Sequence, residues 1–324
     1  MKLRWSQWGG TDPLGKGRRL YWVVSKDPRN TNRVAVVLGR TEIGPHRVLL
    51  YRGSEVALTV PVELADRRSQ VTAAAELTSV SVGEQQAVVD LRQSIGYGFG
   101  CQIEKGQVVG LNFYSSRNGS FPPEGVLARL PHLVSIYFDG GQFPEAGLVD
   151  LNRLARLCSL SFNGVTFSAR TLATLKDLSQ LERLYFRDCR GITDEGVKHL
   201  VGLTQLKALS FYSEQLLRPG EAQSQVTDAG VTYLKQLVRL EELDLFGHDL
   251  SDRSVEVLTG MNELQDLTLS GHGFTNAGLD GLARLSKLRN LRLFETAVTT
   301  NGVAALKQRL PNVNVNAWGR DSHD

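Results

Sequence analysis

The sequence predicts an α/β solenoid on three observations: a segment recurring at near-constant spacing, an alternating apolar strand pattern opening each copy, and a capped amphipathic helix pattern closing it. The copies open at LVSIYF (133), LCSLSF (157), LERLYF (181), LKALSF (206), LEELDL (240), LQDLTL (264) and LRNLRL (288), after a degenerate copy VVGLNF (108–113). Their spacings are 24, 24, 25, 34, 24 and 24 residues. Periods of this size mark arrays in which each unit is one supersecondary motif.

The strand comes first. In LxxLxL the fourth and sixth residues alternate, so they share one face and enter the core, while positions three, five and seven point away. Thr193, Thr227, Ser251, Thr275 and Thr299 then stand where a helix N-cap belongs, their hydroxyls able to accept from free N–H groups of the first turn. Asp194, Asp228 and Asp252 follow, where negative charge suits the helix dipole. The helix carries an apolar stripe, as in Val197, Leu200 and Leu203. One such unit cannot bury its own apolar face. Stacking about eight does, and the expected product is a right-handed solenoid with a concave parallel sheet and convex helices.

The fourth copy, LERLYFRDCRGITDEGVKHLVGL, resembles the consensus LxxLxLxxCxxITDxGLxxL of leucine-rich-repeat proteins, within them the cysteine-containing and ribonuclease-inhibitor-like subtypes. Other copies depart at position nine, where Gly141, Val165, His248, His272 or Thr296 replaces Cys189. The resemblance implies the fold, and it implies a protein-binding role without naming a partner. It also implies an alternative, a substrate receptor or adaptor for a modifying enzyme, because the fourth copy is similar to those of F-box-associated receptors. An F-box would be helical, and residues 1–83 do not read as helical.

The expected organisation is a small β-rich meander or barrel at 1–64, a linker at 65–83, a capping helix and lead-in at 84–107, repeats at 108–312, and a closing strand and tail at 313–324. The first part rests on four β-rich runs, RLYWVVSK, RVAVVLGR, HRVLLYRG and EVALTVPVEL, separated by turn-rich segments. EQQAVVDLRQSI would cover one apolar end of the solenoid. The 34-residue copy places its extra residues at 213–225, on the rim beside the concave face. Insertions there often serve binding, which singles out Leu216, Leu217 and Arg218.

The outward positions supply the remaining candidates. Tyr137, Arg183, Tyr185, Arg187 and Tyr212 form a Tyr/Arg patch, the composition that dominates interface hot spots. Glu242, Asp244 and Asp266 form an acidic patch beside it, with Phe246, Arg292 and Phe294 beyond. Aromatic side chains on a solvent-facing sheet are costly unless covered, so a partner protein is expected on this face. His248 and His272 occupy position nine of consecutive copies, which would stack them roughly 5 Å apart as a hydrogen-bonding ladder.

No enzyme is expected. The chain has no Gly-rich phosphate loop, no G-x-S-x-G and no H-E-x-x-H. The acidic trio could be imagined as a hydrolase pair, but an open sheet face offers little of the burial that shifts a carboxylate usefully. No cofactor and no metal are expected, since the two histidines lack a third ligand. Three separated cysteines, Cys101, Cys158 and Cys189, read as free thiols rather than a disulfide framework.

Charge points nowhere specific. Residues 1–83 carry 13 Lys+Arg against 7 Asp+Glu and the remainder 24 against 27, but the basic groups are scattered among strand-like residues, so nucleic acid is not the expected partner. Carbohydrate binding, or an active site in the N-terminal segment, are further readings. No window reaches the roughly 18 apolar residues of a membrane span, and the run from Leu20 to Val24 is too short for a signal peptide. A cytoplasmic location and no membrane partner are expected.

Overall fold

The computed structural model describes residues 80–95, 99–114, 121–144, 150–214 and 226–318 in full, and five earlier strands by their backbone. These are β1 (Trp5–Gln7), β2 (Tyr21–Val23), β3 (Asn32–Leu38), β4 (Pro45–Arg52) and β5 (Glu55–Glu63), antiparallel and in meander order. The four β-rich runs each contribute a strand, and β1 is an addition that the alternation pattern had not marked. Leu216, Leu217 and Arg218 of the expected rim loop lie outside the described residues, as do most of the linker and the last six residues.

Helix α1 (Val82–Ile95) opens two residues before its expected start. Ser81 ties its first turn, donating through Oγ to Glu84 Oε2 at 2.9 Å and accepting from the Glu84 N–H at 3.4 Å. Ala87, Val88, Leu91 and Ile95 form its buried stripe, which packs toward the next strand. That strand, β6 (Phe99–Glu104), pairs antiparallel with β7 (Gln107–Tyr114). The expected lead-in is therefore one arm of a hairpin.

From β7 onward every pairing is parallel, through β8 (Ser135–Asp139), β9 (Ser159–Asn163), β10 (Arg183–Arg187), β11 (Ala208–Tyr212), β12 (Glu242–Leu245), β13 (Asp266–Ser270), β14 (Asn290–Phe294) and β15 (Asn314–Trp318). Between them lie 3₁₀ turns and the helices α2 (Ala169–Ala173), α3 (Asp194–Lys198), α4 (Asp228–Tyr233), α5 (Arg253–Leu258), α6 (Asn276–Leu282) and α7 (Thr300–Arg309). The chain is an α/β solenoid built on an open sheet of ten strands. Among the described residues no helix is long and apolar enough to cross a membrane.

Register explains the core. Position-four residues face one another along the ladder, Leu111–Ile136–Leu160–Leu184–Leu209, and all are buried. Position six carries a file of phenylalanines in the same way. Phe113, Phe138, Phe162, Phe186 and Phe211 stack with ring centroids 5.0, 5.4, 5.5 and 5.5 Å apart. A second file, Phe143 and Phe167, meets them edge-on at 5.0 to 5.6 Å. Each fully buried ring contributes roughly 1.5–3 kcal/mol of transfer free energy, and offset or edge geometry adds about 0.5–1.5 kcal/mol per pair.

The caps behave as expected at Thr193, Thr227, Thr275 and Thr299, each accepting from an N–H of its own first turn. Ser251 differs slightly. Its hydroxyl accepts from the Arg253 N–H at 3.3 Å, but α5 starts one residue later than its counterparts.

The aspartates do more than complement a dipole. Asp194 accepts from the Thr227 N–H at 2.8 Å and from its hydroxyl at 2.6 Å, so each first-turn acid grips the cap of the following repeat. Asp252 holds Thr275 at the same two distances, Asp228 holds Ser251, and Asn276 holds Thr299. The glycine two residues after an acid is the other half of this device. A Cβ at Gly230 would lie 2.1 Å from Asp194 Oδ1, and one at Gly278 would lie 2.3 Å from Asp252 Oδ1. Only Ser254 replaces that glycine in the series, and it donates its hydroxyl to Asp228. Those bonds hold the Asp228 carboxyl below its usual range, although burial alone would raise it.

Candidate functional site

Side chains at positions three, five and seven of β7 to β15 share the sheet face opposite the core. The site begins with the backbone that ends each strand. Position eight is left-handed at Gly140, Gly164, Asp188, Gly247, Gly271 and Glu295, with φ between 47° and 137°. This turn stops the strand just after position seven and leaves that side chain at the upper edge of the face.

Position seven there forms a row. Arg187 lies over the Tyr212 ring at 4.6 Å, a cation–π contact. Tyr212 stacks on Phe246 at 4.7 Å, Phe246 meets Phe294 edge-on at 4.6 Å, and Phe294 stacks on Trp318 at 4.5 Å. Between Phe246 and Phe294 the same column holds Ser270, whose hydroxyl donates to the His248 carbonyl at 2.6 Å, and the two rings close above it. A second aromatic pair, Tyr114 and Tyr137, lies at the other end of the sheet with centroids 5.9 Å apart.

This corrects the expectation of freely displayed rings: Phe246 is buried, and Tyr212 and Phe294 are half-covered by their neighbours. Trp318 was not among the expected site residues. The 24-residue spacing carries the register from Leu288 to Asn312 and so puts Trp318 at position seven, the signal that finds it.

Lower on the face the polar candidates meet. Tyr185 and Arg183 stand on β10, Glu242 and Asp244 on β12, Asp266 on β13 and Arg292 on β14. Asp244 accepts from the Phe246 N–H at 3.0 Å, Asp266 accepts from Asn290 Nδ2 at 2.6 Å, and Arg292 donates to Thr268 Oγ1 at 3.4 Å. Burial raises the Glu242 carboxyl above its usual range, helped by Asp266 and Asp244 and opposed by Arg292. Burial also raises Asp244, against Arg292 and Arg187. Tyr185 is raised by burial and by Glu242. The Tyr212 hydroxyl, partly desolvated and donating to Glu214, is pushed up to about 12.

The structure does not bring the whole Tyr/Arg patch together. Tyr137 lies on β8, two strands from Tyr185, with Ser161 between them. Arg183 turns toward Glu182, 4.0 Å away, and toward Cys158 Sγ at 3.5 Å.

The histidine ladder does not form. His248 is 2% exposed; its Nδ1 accepts from the Val226 N–H at 3.1 Å and its Nε2–H donates to the Phe211 carbonyl at 2.7 Å. Both ring nitrogens are thereby committed and the ring is held neutral, its pKa lowered by burial to about 4. His272 is exposed, with Nε2 3.8 Å from Glu295 Oε2. The turns before the two histidines differ, with φ 89° at Gly247 and 137° at Gly271. His248 instead matches Cys189, whose Sγ–H also reaches the position-six carbonyl of the preceding repeat, Phe162, at 3.5 Å. Burial pushes that thiol up to about 12. Among the described residues no group of three His, Cys, Asp or Glu is placed to hold a metal ion.

Comparison with known proteins adds the following. Residues 179–201 match the family model described as Leucine Rich repeat. No curated protein sequence matches the chain. Among solved structures it is similar to an internalin C2 from Listeria monocytogenes, at 19% identity and a TM-score of 0.46, covering 71% of this chain and 80% of that one. It is also similar to a leucine-rich-repeat protein of Leptospira interrogans, at 13% identity and a TM-score of 0.35, covering 63% of this chain and 59% of that one. The unit around β10 and α3 is thus a leucine-rich repeat, and the units stacked on either side share its strand, turn and helix.

Proposed function

We propose that the chain is a protein-binding leucine-rich-repeat module that docks its partner on the outward face of the β10–β15 sheet. The observation that carries this reading is the row from Arg187 through Tyr212, Phe246 and Phe294 to Trp318, which puts aromatic surface on the side of the sheet away from the core. Aromatic and arginine side chains in partly desolvated settings are the groups that dominate interface energetics. The inner face is already buried by the phenylalanine files, and the outer row lies outside that core. The insertion at 213–225, with Leu216, Leu217 and Arg218, would extend the same surface at its rim. The repeats belong on this reading to the cysteine-containing kind, with His248 taking the place of Cys189.

The test compares capture. The wild-type chain and a Tyr185→Ala/Arg187→Ala double variant, both shown folded by circular dichroism, are used as bait in the same extract. The wild type should retain one or more proteins that the variant loses by at least tenfold. Equal recovery on both would remove these residues from any binding site.

A further inference from the structure

The outward face is corrugated. On β11 positions three and five are small, Ala208 and Ser210, and they are only 6% and 7% exposed although they point away from the core. Taller neighbours shade them. Ala208 lies between Arg183 and Glu242, and Ser210 between Tyr185 and Asp244. With strands about 4.8 Å apart, the walls stand roughly 10 Å from each other, backbone to backbone, which is room for one side chain.

The two walls differ in chemistry. On the β12 side the Asp244 carboxylate accepts a single hydrogen bond, from the Phe246 N–H, and the Glu242 carboxylate has neither a hydrogen bond nor an ion pair among the described residues. On the β10 side stands the Tyr185 ring, whose hydroxyl also has no partner among the described residues.

The cations of this neighbourhood are engaged elsewhere. Arg183 is held by Glu182 and Cys158, Arg187 lies over Tyr212 with Glu214 3.9 Å away, and Arg292 donates to Thr268 across the next strand. The trough is therefore a recess with carboxylates on the β12 wall and, on the β10 wall, the Tyr185 ring beside Arg183, whose guanidinium is turned toward Glu182 and Cys158. A positive group placed there gains Coulombic attraction in partly buried surroundings and a cation–π contact together. It would also offset the burial that raises both carboxyls and the repulsion that Asp266 and Asp244 add at Glu242.

We infer that the trough over β11 receives an arginine or lysine side chain from a basic segment of the partner protein. The inference rests on the reading that this face binds protein, and it supplies the partner's chemistry. An acidic segment would meet Glu242 and Asp244 head-on.

The probe is a blocked heptapeptide carrying two arginines, set against the same peptide with citrulline at both places, which keeps the shape and removes the charge. Titrated into the ¹⁵N-labelled full chain, the arginine peptide should shift the amides of Tyr185, Ser210, Glu242 and Asp244. Its affinity should fall at least fivefold between low and moderate salt and at least tenfold in a Glu242→Gln/Asp244→Asn variant. Glu263→Gln, which removes an acid paired with Lys287, should change it less than twofold. Equal binding of the citrulline peptide, or no effect of the double neutralisation, overturns the inference.

Capture by the full chain separates this failure from failure of the wider reading. If Glu242→Gln/Asp244→Asn captures as wild type does while Tyr185→Ala/Arg187→Ala does not, the basic segment is wrong and protein binding stands. If neither variant changes capture, both fall.

Discussion

The two halves of the solenoid put their longest files of stacked rings on opposite sides of the same sheet, although Tyr114, Tyr137 and Tyr185 also stand on the outer face of the first half. Up to β11, position six is phenylalanine and the rings stack inside, from Phe113 to Phe211. From β12 to β14 position six is leucine, at Leu245, Leu269 and Leu293, and on β15 it is Ala317; the rings move one residue along, to Phe246, Phe294 and Trp318 outside. Two strands carry both, β7 with Phe113 within and Tyr114 without, and β11 with Phe211 within and Tyr212 without. A shift of one residue reverses the face because strand side chains alternate. The same ladder of rings is a core in one half and a surface in the other, and that change coincides with the long insertion. On the proposed reading, stability and recognition both use aromatic residues, at adjacent positions.

The largest effect should come from breaking the inner file. Phe162→Ala is expected to cost about 3–5 kcal/mol in urea unfolding, because it removes a ring stacked on both sides and leaves a cavity. Phe246→Ala, at the outer row, should cost less than half as much, since its ring is covered by Tyr212 and Phe294 but lies outside the core, so that its loss opens no enclosed void. Equal costs would erase the distinction between the halves.

A smaller effect sharpens the join. His248 ties the halves by accepting from Val226 and donating to Phe211. Its folded pKa of about 4 lies below the ordinary histidine value of about 6.5, so the unfolded chain binds the proton first as pH falls. The stability it contributes is complete above about pH 6.5 and is lost between there and pH 4, about 3 kcal/mol in all at about 1.36 kcal/mol per pH unit. His248→Cys restores the Cys189 arrangement without a titrating ring. Urea unfolding at pH 7 and pH 4 should show the wild type losing about 3 kcal/mol more than this variant. Parallel losses would mean that the buried ring does not stitch the halves.

Much of the fold was legible because alternation and period are properties of the chain itself. Leu184 and Phe186 had to share a face, and Thr193 had to precede a helix. What escaped depends on the neighbouring repeat. Asp194 was read as complementing its own helix, yet its carboxylate serves Thr227, thirty-three residues on. The pairing of Ser/Thr with Asp, and glycine two residues later, was in view at each copy, but its meaning appears only when one copy is laid on the next. The site was partly legible for the same reason. Alternation put Tyr212, Phe246 and Phe294 on the outer face, but it could not say that they would cover one another across Ser270. The His248 and His272 pair failed because identical positions in the repeat end in different turns, φ 89° at Gly247 and 137° at Gly271.

The central claim is that the outer aromatic face is where a partner docks, and photo-crosslinking reads it directly. Benzoylphenylalanine is placed at Tyr212 on that face in one sample and at Val238, exposed on the connection that follows α4, in another. Irradiated with the captured partner, the chain labelled at 212 should form the covalent complex and the chain labelled at 238 should not. Crosslinking from 238 alone, or equally from both, would contradict the account.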